Sequence, residues 1–218
     1  MKKALLPLFI LLLALNANAA EYTKDNIKPC SQGEIKMICD LNGAPITGTF
    51  KSYYENGNLK TEVNFKDGKP EGLSKTYYEN GNLEAEENYK DGKREGLKKV
   101  YYPNGNLKTE GNFKDGKLEG LSKGYYENGN LDAELNYKDG KFEGLSKTYY
   151  ENGNLESEAN YKDDKLEGSI KEYYENGDLK AEIFFKDGNP ISGYQYDIHG
   201  KKTKMTNTHL HNFTKDLK

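Results

Sequence analysis

Few residues in this chain could do chemistry, and their spacing limits what that chemistry is. Histidine occurs three times, at His199, His209 and His211, all near the C-terminus. His209 and His211 make two ligands, and a zinc site draws on three or four. Glu62, Glu86, Glu110, Glu134, Glu158 and Glu182 recur every 24 residues, which raises the idea of paired carboxylates. Lysines at Lys51, Lys75, Lys99, Lys123, Lys147 and Lys171 recur with the same period. Lysine on either side of a carboxylate keeps it ionised and makes it a poor general acid. Nothing else supplies a nucleophile with a base, and no window fits a dinucleotide or Walker phosphate loop. The chain is expected to be no enzyme and to need no cofactor or metal. What remains is 18 tyrosines and the pair Cys30 and Cys39. Tyrosine combines a large apolar ring with a polar tip, which suits contact surfaces.

Those tyrosines are placed by a repeat. Tyr53-Tyr54-Glu55-Asn56-Gly57-Asn58-Leu59 returns at Tyr77, Tyr101, Tyr125, Tyr149 and Tyr173, always 24 residues on. A fixed period of that size means a repeat array. A second turn signal, Lys-Asp-Gly, recurs at Gly68, Gly92, Gly116, Gly140 and Gly188, with Asp164 in its place once. Asn-Gly between alternating residues signals a hairpin. Each unit is therefore expected to be one β-hairpin. The fold class is all-β: an elongated single-layer antiparallel meander.

Four parts follow in order. Residues 1–19 carry Lys2 and Lys3, an apolar run and Ala17-Asn18-Ala19, the pattern of a secretory signal peptide. Residues 20–47 are an irregular lead-in and a capping strand, since Ile35, Met37, Cys39 and Leu41 alternate and sit 24 before Leu59, Thr61, Val63 and Phe65, which makes half a unit. Residues 48–190 hold the six units. Residues 191–218 form a shortened hairpin and a polar tail. Removing Lys2 and Lys3 takes the net charge from −3 to −5, which argues against nucleic acid as a partner. The mature chain has no other apolar stretch and so no transmembrane segment. An even cysteine pair in an exported protein reads as a Cys30–Cys39 disulfide; two free thiols or a metal pair are the other readings. The expected location is the bacterial periplasm, the cell surface or the medium.

Register follows from the repeats. With Asn80-Gly81 as a two-residue loop, Tyr78 faces Leu83, Thr76 faces Ala85, Lys75 faces Glu86 and Gly72 faces Tyr89. With Asp91 to Arg94 as a four-residue loop, Tyr89 faces Gly96 and Glu86 faces Lys99. Three departures from the repeat then fall side by side: Glu87 with Lys98, Phe50 with Val63, and Ile170 with Ile183. Opposite charges across strands favour a pairing by about 0.2–1 kcal/mol, and a one-residue slip would separate all three pairs.

This register gives two faces. One is a lysine–glutamate ladder, read as a solvated surface. The other carries Tyr78, Tyr102, Tyr126 and Tyr150, with Tyr89, Phe113 and Tyr137 over the glycines that open each unit. No segment is evident that could cover this second face. An open apolar face of this kind marks a contact site, so these seven residues are the candidate binding residues.

The pattern Gly-x-x-Lys-x-Tyr-Tyr-x-Asn-Gly-x-Leu-x-x-Glu-x-x-Tyr-Lys-Asp-Gly-Lys resembles the MORN-repeat variant of bacterial proteins. The resemblance implies single-layer β-meanders that bind or scaffold other molecules, and some members are labelled antitoxin components. Relatives of the ordinary type are associated with membrane lipids and dimer contacts. Their tryptophan has no counterpart here, because the chain has no Trp, so lipid binding does not carry over. The leading expectation is an exported, non-catalytic binding or scaffold protein for a protein or peptide partner, with self-association through sheet edges as a further possibility. The alternatives are an antitoxin or immunity protein for one partner, and a hydrolase.

Overall fold

The structure is a computed structural model and describes residues 20–32 and 35–216. The expected signal peptide lies outside the described residues. β1 (Ala20–Tyr22), β2 (Ile27–Gln32) and β3 (Ile35–Asp40) precede the units. The units supply β4 (Gly48–Tyr53), β5 (Leu59–Lys66), β6 (Lys69–Tyr77), β7 (Leu83–Lys90), β8 (Lys93–Arg94), β9 (Gly96–Tyr101) and β10 (Leu107–Lys114). They continue through β11 (Lys117–Leu118), β12 (Gly120–Tyr125), β13 (Leu131–Lys138), β14 (Lys141–Phe142), β15 (Gly144–Tyr149) and β16 (Leu155–Lys162). β17 (Lys165–Tyr173), β18 (Leu179–Lys186), β19 (Asn189–Tyr196), β20 (Lys202–Lys204) and α1 (Asn207–Asp216) complete the chain. Eighteen strands form one sheet of consecutive hairpins, and β2 with β3 forms a separate sheet.

The two turns of each unit differ from expectation, and in opposite ways. At the Asn-Gly turn, Gly81 N–H donates to Tyr78 O and Tyr78 N–H to Asn82 O. The loop is therefore three residues, Glu79 to Gly81. Gly81 alone takes a left-handed φ of +90°, as the glycine of a three-residue hairpin loop does. Tyr77, not Tyr78, then faces Leu83, and Glu84 is squeezed out as a bulge before Thr76 meets Ala85. At the Asp-Gly turn both residues have positive φ, +50° at Asp91 and +82° at Gly92. That makes a two-residue loop with Lys90 opposite Lys93. Tyr89 consequently faces Arg94, not Gly96, and Glu95 with Gly96 absorbs the offset before Glu86 meets Lys99.

Away from the turns the expected register holds. Lys75 pairs with Glu86, Gly72 with Tyr89, Phe50 with Val63 and Ile170 with Ile183. The opening glycines serve another purpose than the one expected. A Cβ on Gly72 or Gly96 would meet nothing within 4 Å, so no ring needs the space. Their φ values of +77° and +79° are what demand glycine.

Both turn ends are tied forward to the next unit. The hydroxyls of Tyr54, Tyr78, Tyr102, Tyr126 and Tyr150 donate to the carbonyls of Tyr77, Tyr101, Tyr125, Tyr149 and Tyr173 at 2.6–2.8 Å. At the opposite ends, the N–H of Asp91, Asp115, Asp139 and Asp163 donates to the carboxylates of Glu71, Glu95, Glu119 and Glu143.

The two caps also correct the sequence reading. β3 does not extend the sheet. Pro45 in the link to β4 has no N–H for a ladder, and Ile38, Ile46 and Gly68 instead join β3 to the first Asp-Gly turn. Ile46 and Cys39 are buried there, and the Cys30–Cys39 disulfide closes β2 onto β3. The edge of β4 is taken by β1, running parallel to it, so the lead-in is structured. At the other end the tail is not loose. β20 pairs with β19, and α1 lays Leu210 against Ile183 and Phe185. The face is therefore double-layered at its C-terminal end. α1 leaves little sign in the sequence, because only Leu210 and Phe213 of its ten residues are apolar.

Candidate binding face

Alternation along the strands sends Ala85, Glu87 and Tyr89 to one face and Glu86 to the other. On the ladder face the expected pairings all form, from Lys51 with Glu62 to Lys171 with Glu182. Only some close to ion-pair distance: Lys51–Glu62 at 3.9 Å, Lys123–Glu134 at 3.4 Å and Lys171–Glu158 at 3.2 Å. Tyrosine is a further partner, and Tyr101, Tyr125 and Tyr149 donate to Glu86, Glu110 and Glu134 at 2.9–3.0 Å. Burial first, then those carboxylates, push the Tyr101 and Tyr125 hydroxyls up to about 12. This face is internally satisfied.

The apolar face has two margins and a floor. Along one margin the candidates Tyr89, Phe113 and Tyr137 join a stripe that sequence reasoning only half found. Tyr89 faces Arg94, Phe113 faces Leu118 and Tyr137 faces Phe142. The Phe142 ring lies 4.8 Å from Tyr137 and 5.2 Å from Tyr161, and the Arg94 guanidinium sits 5.6 Å from Phe113. The missed column is Pro70, Arg94, Leu118, Phe142, Leu166 and Pro190. It follows each turn, Asp-Gly or Asp163-Asp164, by two positions, where a four-residue loop is expected from the sequence; its apolar content is the available signal.

Along the other margin lie the candidates Tyr78, Tyr102, Tyr126 and Tyr150, half-buried, with their hydroxyls committed to the next hairpin. Beside each stands the bulge residue of its own hairpin. Lys108 is that residue for Tyr102, its ammonium 5.4 Å from the ring centre, and Lys60 stands 5.2 Å from Tyr54. At Tyr126 the residue is Asp132. Burial first, then Asp132, Glu156 and Glu151, push the Tyr126 hydroxyl upward. The seven candidates thus form two rows rather than one cluster.

The floor between the rows varies along the sheet. In the second unit it is polar. Glu87 accepts from Tyr89 at 2.8 Å and Arg94 at 2.7 Å, with Lys98 at 3.3 Å. Burial pushes the Glu87 carboxyl up, but these hydrogen bonds and charges outweigh it and hold it below the usual range. In the third and fourth units the floor sinks. A cavity of about 470 Å³ is lined by Val100, Gly111, Phe113, Leu118, Gly124, Asp132, Ala133, Leu135 and Tyr137 among others. Gly111 and Gly124 have no positive φ, unlike the turn glycines. A Cβ on Gly111 would meet Ser122 Oγ at 2.5 Å, so packing asks for glycine there, whereas at Gly124 it would meet nothing nearer than 3.6 Å. Ser122 Oγ on the same floor is buried and has no hydrogen-bond partner.

A family model described as the MORN repeat variant matches residues 46–67, 70–91, 94–115, 118–139, 142–163 and 166–187. The chain belongs to the MORN repeat variant family. MORN repeats commonly mediate protein or membrane binding and are generally non-catalytic. No curated protein matches this MORN chain. Among the described residues no group of three or more His, Cys, Asp or Glu could hold a metal. No helix among them is long and apolar enough to cross a membrane. The MORN array thus offers one internally satisfied face and one face with an apolar hollow between two aromatic rows.

Proposed function

We propose that this protein is an exported, non-catalytic binding module that holds a protein partner on its apolar face. The observation that carries this reading is the hollow at Gly124. A strand glycine that neither the backbone nor close packing requires leaves aliphatic and aromatic side chains half-exposed around a cavity. A monomer gains nothing from such a surface, whereas a contact buries it. Export is supported by the disulfide, which persists in oxidising compartments. The sheet edges suit association less well. β1 and β20 are three residues each, and β20 carries Lys202 and Lys204, which discourage strand pairing.

The test uses the mature protein as bait in an envelope extract, with crosslinking. Gly124→Val fills the hollow with the side chain the neighbouring unit already carries at Val100, and it should abolish capture of a specific partner. Lys99→Glu on the ladder face should leave capture intact. Equal capture by both variants would overturn the reading.

A further inference from the structure

We infer that the hollow receives a basic, aliphatic polypeptide segment whose cationic side chain seats over Tyr126, beside Asp132. This rests on the apolar face being the contact surface, and it assigns the partner's chemistry.

The repeat supplies its own template. In the first and third units the bulge residue is a lysine, and its ammonium lies over the tyrosine ring of the same hairpin, Lys60 over Tyr54 and Lys108 over Tyr102. A cation is attracted to the face of an aromatic ring. In the second, fourth and fifth units the same position is acidic, Glu84, Asp132 and Glu156, and of these Asp132 lines the cavity. The ring at Tyr126 is still half-exposed and still held in place by its bond to the Tyr149 carbonyl. Three carboxylates, those of Asp132, Glu156 and Glu151, act on it. A ring that in two other hairpins carries the chain's own cation here stands beside carboxylates, which is the electrostatic setting for a cation from outside.

The apolar half of the segment is fixed by the same cavity. Asp132 lines it at one end and Phe113, Leu118 and Tyr137 at the other. The Asp132 carboxylate lies over Gly124, 3.6 Å from where a Cβ would be. An arginine or lysine with its charge at Asp132 therefore has its aliphatic stem, or a neighbouring leucine, over the glycine floor. Long cationic side chains bury their stems in this way. The remaining charges agree. Lys98 at the cavity edge is neutralised by Glu87, and Lys180 beyond Tyr150 by Glu172 at 3.4 Å.

The experiment compares two labelled synthetic peptides by fluorescence anisotropy against the mature protein. One alternates leucine and arginine, and its twin carries glutamine for every arginine. The arginine peptide should bind about tenfold more tightly, and added salt should erode the difference. Asp132→Lys gives Tyr126 the cation that Lys108 gives Tyr102. It should remove the preference while leaving the glutamine peptide unchanged, with melting confirming the fold. A preference that survives Asp132→Lys overturns the cation seat but leaves the contact face standing. If neither peptide binds, or if Gly124→Val changes neither affinity, the contact face itself is overturned and the seat with it.

Discussion

Ile170, Ile183 and Phe185 at the C-terminal end of the sheet correspond, by the repeat, to Ser122, Leu135 and Tyr137 at its centre. The backbone beneath them is the same hairpin in the same register. At the end all three are buried, Ile183 completely at 0 % exposure, because α1 brings Leu210 onto them. At the centre Leu135 and Tyr137 are half-buried, and no described segment lies over them. Where the face is covered, the position of Ser122 is held by the buried Ile170. Where it is open, Ser122, Gly124 and Ala133 lie among larger side chains that stay half-exposed. The units are alike in backbone and differ in what their floor is made to meet.

The sharpest way to break this comparison is to strip the cover. Leu210→Ala should cost about 2–5 kcal/mol, the usual cost of truncating a buried leucine, read by chemical denaturation. Leu135→Ala removes a half-exposed side chain and should cost about 1 kcal/mol. Equal costs would mean that the centre is as closed as the end.

The glycines sharpen it further. At Gly193 a Cβ would stand 3.0 Å from the Met205 sulfur and 3.1 Å from Ile183 and Leu210. Gly193→Ala should therefore lose about 1–3 kcal/mol by overpacking. At Gly124 a Cβ meets nothing nearer than 3.6 Å. Gly124→Ala should instead gain about 0.5–1 kcal/mol, since glycine weakens a strand. Thermal melts of the two variants should move in opposite directions.

A smaller effect separates the polar floor of the second unit from the apolar floor of the others. Glu87→Lys should destabilise, and adding Lys98→Glu should recover part of the loss, with a coupling of about 0.5 kcal/mol. A coupling of zero would mean that the ion pair contributes nothing. Because the folded Glu87 carboxyl titrates below its unfolded value, its stabilisation is present above the unfolded pKa and is lost as pH falls through the folded one. Glu87→Gln should flatten that acid limb of the melting curve.

The smallest signal is spectroscopic and contrasts the two faces. Tyr101 and Tyr125 titrate at about 12 in the folded protein, above the usual value near 10. A raised folded pKa gives stability that is complete below the unfolded pKa and is lost as pH rises through the folded one. Ultraviolet titration should show tyrosines ionising late, and Tyr125→Phe should remove one of them. Ionisation of that residue at the ordinary pH would mean that its bond to Glu110 is not formed.

The central register was legible because departures from the repeat come in partners. Glu87 has Lys98, Phe50 has Val63 and Ile170 has Ile183, and only one alignment keeps all three together. The turn ends were not legible. Asn-Gly and Asp-Gly both suggest short loops, yet Asn80 keeps a negative φ while Asp91 takes a positive one. That difference decides where the extra residue goes, and it is settled by hydrogen bonds to the neighbouring hairpin that no single unit contains. The hollow was hidden for a related reason. A glycine can answer a backbone need, admit a close neighbour or leave room, and only the φ values and surroundings separate Gly111, packed against Ser122, from Gly124, which leaves room. The helix was missed because its described contact with the face rests on one residue, Leu210, within a polar stretch.

The forward bond of each turn tyrosine bears on how the molecule is made. The chain leaves the ribosome, and any export channel, from its N-terminus. Each hairpin is thus born with its hydroxyl waiting for a carbonyl that has not yet emerged. Every hairpin that emerges satisfies its predecessor and presents the next request. The growing end is always the unfinished one, and β20 with α1 brings the process to a stop. A gene that gained or lost one whole unit would leave every remaining bond with a partner. The length of the array is therefore the property most easily changed by descent, while the side chains on its open floor record what each unit must meet.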